Sequence, residues 1–169
     1  MTLIIEDGSI VPNANSYTSL SDARDYLSSM GYELDTDDAI ANQTLIKGFN
    51  YVNSFESQYQ GCRVSALQTG SFPRVGVYVN GFPLASDAIP AQLIQAQSLA
   101  AYEENQESGS LFPSGSNQTI TSEEVVGAIK VSYADNGLDS NAKSFGFIDS
   151  LLGALFGSYG SVNNRVFRV

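Results

Sequence analysis

The stretch from Thr36 to Phe55 constrains the fold of this chain more than any other. Ala41, Leu45, Gly48, Phe49, Val52 and Phe55 recur there at helical spacing, so one face of a long helix must be buried. Thr36 is the expected cap, and Asp37 and Asp38 suit the positive end of the helix dipole. An earlier helix is expected from Ser19, which can cap it, through Leu20, Ala23, Tyr26, Leu27 and Met30 to a closing Gly31. A third opens near Pro90, whose missing N–H is harmless at the first helical position, and runs through Leu93, Ala96 and Ala100 to about Glu104. Ile94, Leu99, Ala101 and Tyr102 widen its apolar face beyond one stripe, so it is either sandwiched in the core or buried in part by a neighbouring subunit. Phe145, Ile148, Leu152 and Leu155 predict a short fourth helix, loosened by Gly146, Gly153 and Gly157.

The segments around these helices read differently. Residues 1–18 lack helical spacing and contain turn formers, as an extended arm would. Glu107 to Ser122 is rich in Gly, Ser, Asn and Pro, a loop composition, and "EEVVGAIKVSYAD" then alternates as a strand. The ending "NNRVFRV" reads as extended and basic. The expectation is a mainly α fold, a helical bundle of three to four helices with a small β-arm or hairpin and extended N- and C-terminal arms. With 169 residues it forms a single domain: arm 1–18, helical core 19–106, loop and β-arm 107–144, short helix and tail 145–169.

Chemistry narrows the field by elimination. The chain has no histidine, hence neither the commonest general base near neutral pH nor the commonest metal ligand. Cys62 stands alone beside Arg63 and reads as a bystander rather than a nucleophile. The pairs Asp37-Asp38, Glu103-Glu104 and Glu123-Glu124 cannot converge, because adjacent residues point apart on a helix and to opposite faces of a strand. "DTDDAIANQTLI" begins like a calcium loop but has Ile40 where glycine is required and Ile46 where the bidentate glutamate belongs. The glycine-rich segments lack the lysine and hydroxyl of a phosphate loop. No catalytic residue, cofactor or metal site is expected, and the protein is expected not to be an enzyme.

Eighteen acids against eight bases leave a net charge of −10, which disfavours tight contact with nucleic acid. Single-stranded DNA binding would need a basic, aromatic-lined groove, and the one local basic cluster is Arg165 with Arg168. The single cysteine and the absence of a signal-like opening point to synthesis in a reducing cytoplasm, and no membrane contact is expected.

Several short motifs occur in a telling order: Glu6-Asp7-Gly8, Ala14-Asn15-Ser16-Tyr17, Leu45-Ile46 on the long helix, Gly61 with Arg63, Gln68 with Phe72-Pro73-Arg74 and Gly76, and Ile89-Pro90. The set resembles the head-to-tail adaptor, or connector, proteins of tailed bacteriophages, whose relatives often carry the label DnaT-like single-stranded DNA-binding. The chain departs from that pattern with Thr44 for alanine, Phe72 for tryptophan and Gly70 for leucine. The resemblance implies a structural subunit of the virion neck, assembled in the host cytoplasm. It also implies a homo-oligomeric, twelve-membered ring as partner to the portal protein and a tail or neck protein, with genomic DNA passing through without tight binding. An acidic lumen would suit such passage, although acidity also serves plain solubility. The alternative reading is a single-stranded DNA-binding protein of DnaT-like type.

Two segments stand out as an assembly interface under the adaptor reading. Arg165, Val166, Phe167, Arg168 and Val169 would form a donor arm. Phe72, Pro73 and Arg74 would hold a rigid loop in which either Phe72 caps the chain's own core and Arg74 pairs with one of its acids, or Arg74 reaches an acid on a neighbour.

Overall fold

The computed structural model describes residues 2–112 and 145–157, together with the backbone of 122–123 and 131–132. Among the described residues four helices dominate: α1 (Leu20–Ser29), α2 (Asp38–Ser54), α3 (Ala91–Gln106) and α4 (Gly146–Gly153). Six two-residue strands accompany them: β1 (Cys62–Arg63), β2 (Arg74–Val75), β3 (Tyr78–Val79), β4 (Phe82–Pro83), β5 (Ser122–Glu123) and β6 (Val131–Ser132). The fold is mainly α with small antiparallel β elements.

The helix ends follow local chemistry. The Ser19 hydroxyl accepts from the Asp22 N–H at 3.1 Å, and Gly31 leaves α1 at φ +80°, where a side chain would be strained. At α2 the cap is Asp37, not Thr36: its carboxylate accepts from the Ala39 N–H at 2.7 Å. An ionised carboxylate one residue further on is the stronger acceptor at a positive helix end. Asp35 in turn accepts from the Asp37 N–H, so Asp35 and Asp37 of the calcium-like stretch both serve to start a helix.

α3 lies at the centre, packed against α1, α2 and α4. Leu93, Ala96, Leu99, Ala100 and Ala101 are buried inside this one chain, while Ile94 and Tyr102 on the same helix are only partly covered. α2 approaches α3 so closely at Gly48 that a Cβ there would sit 2.6 Å from the Gln97 carbonyl oxygen. Tyr17, Leu27, Leu45, Phe49, Val52, Phe72, Ile148 and Leu152 complete the core.

Within residues 62–83, inside the segment 19–106, lie two antiparallel pairs, β1 with β2 and β3 with β4. Strands of two residues are too short to show alternation, so periodicity could not reveal them. The β3–β4 turn is Asn80-Gly81, both at positive φ (52° and 84°), the combination that suits a two-residue hairpin. Of the stretch expected as one strand, the described residues belong to β5 and β6, which pair antiparallel with each other, and the remainder lies outside the described residues. No helix among the described residues is long and apolar enough to cross a membrane.

Candidate nucleic-acid interface

The motif residues are largely interior. The Glu6 side chain, 1% exposed, accepts from the backbone N–H groups of Gly8, Ile10 and Val11 at 2.8, 3.0 and 2.9 Å. Gly8, at φ +104°, lies so close to Asp87 that a Cβ would collide with its carbonyl. Asn15 accepts from the Ile4 N–H and donates to the Thr2 carbonyl, pinning the arm to itself. From Ser16 onward the network turns inward: the Tyr17 N–H donates to Gln97 Oε1 at 2.8 Å, and Gln97 Nε2 donates to Ser16 Oγ and to the Leu45 carbonyl. The Tyr17 hydroxyl donates to Asn53 Oδ1 at 2.7 Å and accepts from the Phe72 N–H. Burial pushes the Tyr17 phenol far above its usual range, so it stays a neutral donor.

The Pro-Arg segment joins the same interior. Phe72 is fully buried, with its ring edge-on to Tyr59, and Pro73 beside it is buried after a cis peptide bond. Arg74, 5% exposed, donates from Nε to the Gln60 carbonyl at 2.8 Å, from Nη1 to Ser71 and from Nη2 to Gly61, with Glu56 3.8 Å away. The planar fork thus ties β2 to the chain entering β1, and the structure places Phe72, Pro73 and Arg74 where they cap and bind the chain's own core. Gln68 reinforces the loop by donating to the Gly70 and Pro73 carbonyls. At Gly70, where the resembled pattern has leucine, a Cβ would stand 2.4 Å from the Tyr17 hydroxyl. Arg165, Val166, Phe167, Arg168 and Val169 lie outside the described residues.

The cations of the described body are all engaged. Arg24 pairs with Asp38 at 2.7 Å and donates to the Asp35 carbonyl. Lys47 pairs at 2.7 Å with Glu104, whose buried carboxylate also accepts from the Gly109 and Leu111 N–H groups. Arg63 forms a two-pronged pair with Glu56, and hydrogen bonding from that guanidinium holds the Glu56 carboxyl below the usual range. The four remaining basic residues, Lys130, Lys143, Arg165 and Arg168, fall outside the described residues.

Besides carboxylates such as Asp22, Asp37 and Asp38, the body exposes large apolar side chains. Leu67 is 91% exposed, Phe82 76% and Tyr78 54%. The β3–β4 hairpin belongs to a run, Val75 to Ser86, without a single charged residue. Its root is held by Gln60, which accepts from the Tyr78 N–H at 3.0 Å and donates to the carbonyls of Tyr78 and Phe156. The Gly157 N–H donates to the Gln58 carbonyl at 2.8 Å, so the described residues end near the root of this hairpin.

Over residues 1–169 the chain matches the family described as "Putative DnaT-like ssDNA binding protein". The chain belongs to this family. No curated protein and no solved structure matches it. The match corrects the expectation of a phage head-to-tail adaptor acting as a structural subunit of the neck, in favour of the DnaT-like alternative. The physical reason is visible in the motifs. Glu6, Asn15, Tyr17, Gln68 and Arg74 hold the fold together, and residues that specify an architecture carry little information about what it is used for. In this DnaT-like chain, sequence reading missed Gln97 and weighed Glu104 only as one of an adjacent pair, whereas both sit buried on α3 among apolar neighbours. A long polar side chain on an otherwise apolar helix face was the available signal.

Proposed function

We propose that the chain is a non-catalytic single-stranded DNA-binding subunit. The observation that carries this reading is the family match along the entire chain. The absence of histidine and the structural use of Glu6, Glu56 and Glu104 support a binding role over a catalytic one. Because Arg24, Lys47, Arg63 and Arg74 are engaged internally, phosphate contacts fall to Lys130, Lys143, Arg165 and Arg168. Tyr78, exposed on the hairpin, supplies a sequence-tolerant stacking face.

Four available cations cap the number of phosphates neutralised. At about 0.7 ions released per phosphate of a single strand, log K against log salt should fall no more steeply than about −3. Fluorescence anisotropy with a labelled thymidine oligomer over graded salt tests this. Binding should be micromolar or weaker at physiological salt, on the order of 10⁻⁶ to 10⁻⁴ M, as befits non-specific contact by an acidic body. The double variant Arg165→Ala, Arg168→Ala should flatten the slope by about 1.4, and Tyr78→Ala should weaken binding by about five-fold or more. No binding at low salt, or a slope unmoved by the double variant, would sink the proposal.

A further inference from the structure

We propose that the cleft between Tyr32 and the start of α4 is a docking site for an arginine side chain presented by a basic segment of a partner protein. The cleft has a volume of about 300 Å³ and is lined by Tyr32, Leu99, Tyr102, Glu103, Phe145 and Phe147. That volume lies at the lower end of small-ligand sites and admits one large side chain. Tyr32 and Tyr102 stack with their centroids 4.5 Å apart, while Phe147 is 57% exposed. Aromatic faces and one carboxylate therefore meet in the same small space.

Both of those features select a cation. The face of an aromatic ring carries the negative end of its quadrupole, and a carboxylate such as that of Glu103 accepts charge-assisted hydrogen bonds. Arginine suits the cleft better than lysine. Its planar guanidinium stacks on a ring, is more weakly hydrated than an ammonium, and presents paired donors to a single carboxylate. A purely apolar occupant would satisfy the rings but take water from the Glu103 carboxylate without replacing its hydrogen bonds. A phosphate would meet a charge of its own sign.

The surroundings identify the partner as a basic protein segment. A second hollow, of about 410 Å³, shares Tyr32 with the cleft and is lined further by Arg24, Ser28, Glu33, Leu34 and Thr36. Arg24 is already bonded to Asp38 and to the Asp35 carbonyl, whereas Asp25, Glu33, Asp37 and Asp38 are exposed on α1, at the start of α2 and between the two helices. From Met1 to Ile46 eight acids face Arg24 as the sole base. Two hollows meeting at Tyr32 give an extended segment room to run past the anchoring arginine, with its other cations opposite these carboxylates. A net charge of −10 steers such a segment in and opposes a second copy of this chain.

This proposal stands apart from the DNA reading, which uses Tyr78 and other cations, and either can fail alone. Fluorescence anisotropy of the full chain tests it with two labelled peptides of equal length and charge, one of arginine and serine, the other of lysine and serine. Long-range attraction to an acidic body is the same for both, so their ratio reports the cleft. The arginine peptide should bind about five-fold more tightly. Phe147→Leu, which keeps an apolar group at an exposed position but removes the ring, should bring the two peptides to within about two-fold while melting as the wild type does. Glu103→Gln should do the same, and Phe147→Trp should keep the preference; if Glu103→Gln melts early, the two Phe147 variants decide. Equal affinities in the wild type, no arginine-peptide binding at low salt, or a preference that survives Phe147→Leu would each overturn the proposal. It would equally be overturned if Phe147→Leu weakened oligonucleotide binding, which would give the cleft to a nucleobase, or abolished a self-association seen in sedimentation, which would give it to a second copy.

Discussion

Replacing Gln97 by leucine tests whether the buried polar network, rather than apolar packing alone, holds the amino-terminal arm on the helices. The side chain is fully buried in the middle of α3. It accepts from the Tyr17 N–H at 2.8 Å and donates to Ser16 Oγ at 2.8 Å and to the Leu45 carbonyl at 3.0 Å. Leucine has a similar volume, so no large cavity opens and the loss is one of hydrogen bonding. The Tyr17 N–H is left buried without an acceptor, a cost of about 1–3 kcal/mol, and two further bonds of about 0.5–1.5 kcal/mol each disappear. The expected destabilisation is about 3 kcal/mol, and at roughly 2–4 °C per kcal/mol for a domain of this size the midpoint should fall by about 6–12 °C. Thermal and urea unfolding followed by circular dichroism measure it, with Gln43→Leu on the exposed side of α2 as a control expected to stay within about 0.5 kcal/mol. A change at Gln97 no larger than the control's would refute the reasoning, because Tyr17 would then have an adequate alternative partner.

Two further outcomes follow from the same geometry. Arg74→Lys keeps the charge but loses the planar fork over the Gln60, Ser71 and Gly61 carbonyls, and should destabilise the chain by about 2 kcal/mol in calorimetry; unchanged melting would show that the fork is dispensable. Burial alone would raise the Glu104 pKa, but Lys47 and the Gly109 and Leu111 N–H groups outweigh it and hold the carboxyl below its ordinary 4.5. A depressed folded-state value contributes stability that is present above the unfolded pKa and lost as pH falls through the folded one. The melting difference between wild type and Glu104→Gln should therefore shrink as pH drops below about 4.5; a difference independent of pH would remove Glu104 from the acid limb.

The helices were legible because each carries a local record of its burial. Leu45, Phe49 and Val52 repeat at the period of a helix, and Ser19 and Gly31 mark ends through interactions spanning a few residues. The cap at Asp37 instead of Thr36 is a competition between neighbouring acceptors that spacing alone does not rank. What tertiary structure decided was the use of polar residues. Gln97 meets Tyr17 across eighty residues and Lys47 meets Glu104 across fifty-seven, and no local pattern encodes partners so distant. The same holds for Arg74, which looks like a displayed cation in sequence and proves to be a clamp on three carbonyls once β1 and β2 are brought together. A hydrophobic side chain carries its burial preference with it, whereas a polar one is satisfied equally by water or by a partner, and only the folded chain determines which of the two it meets.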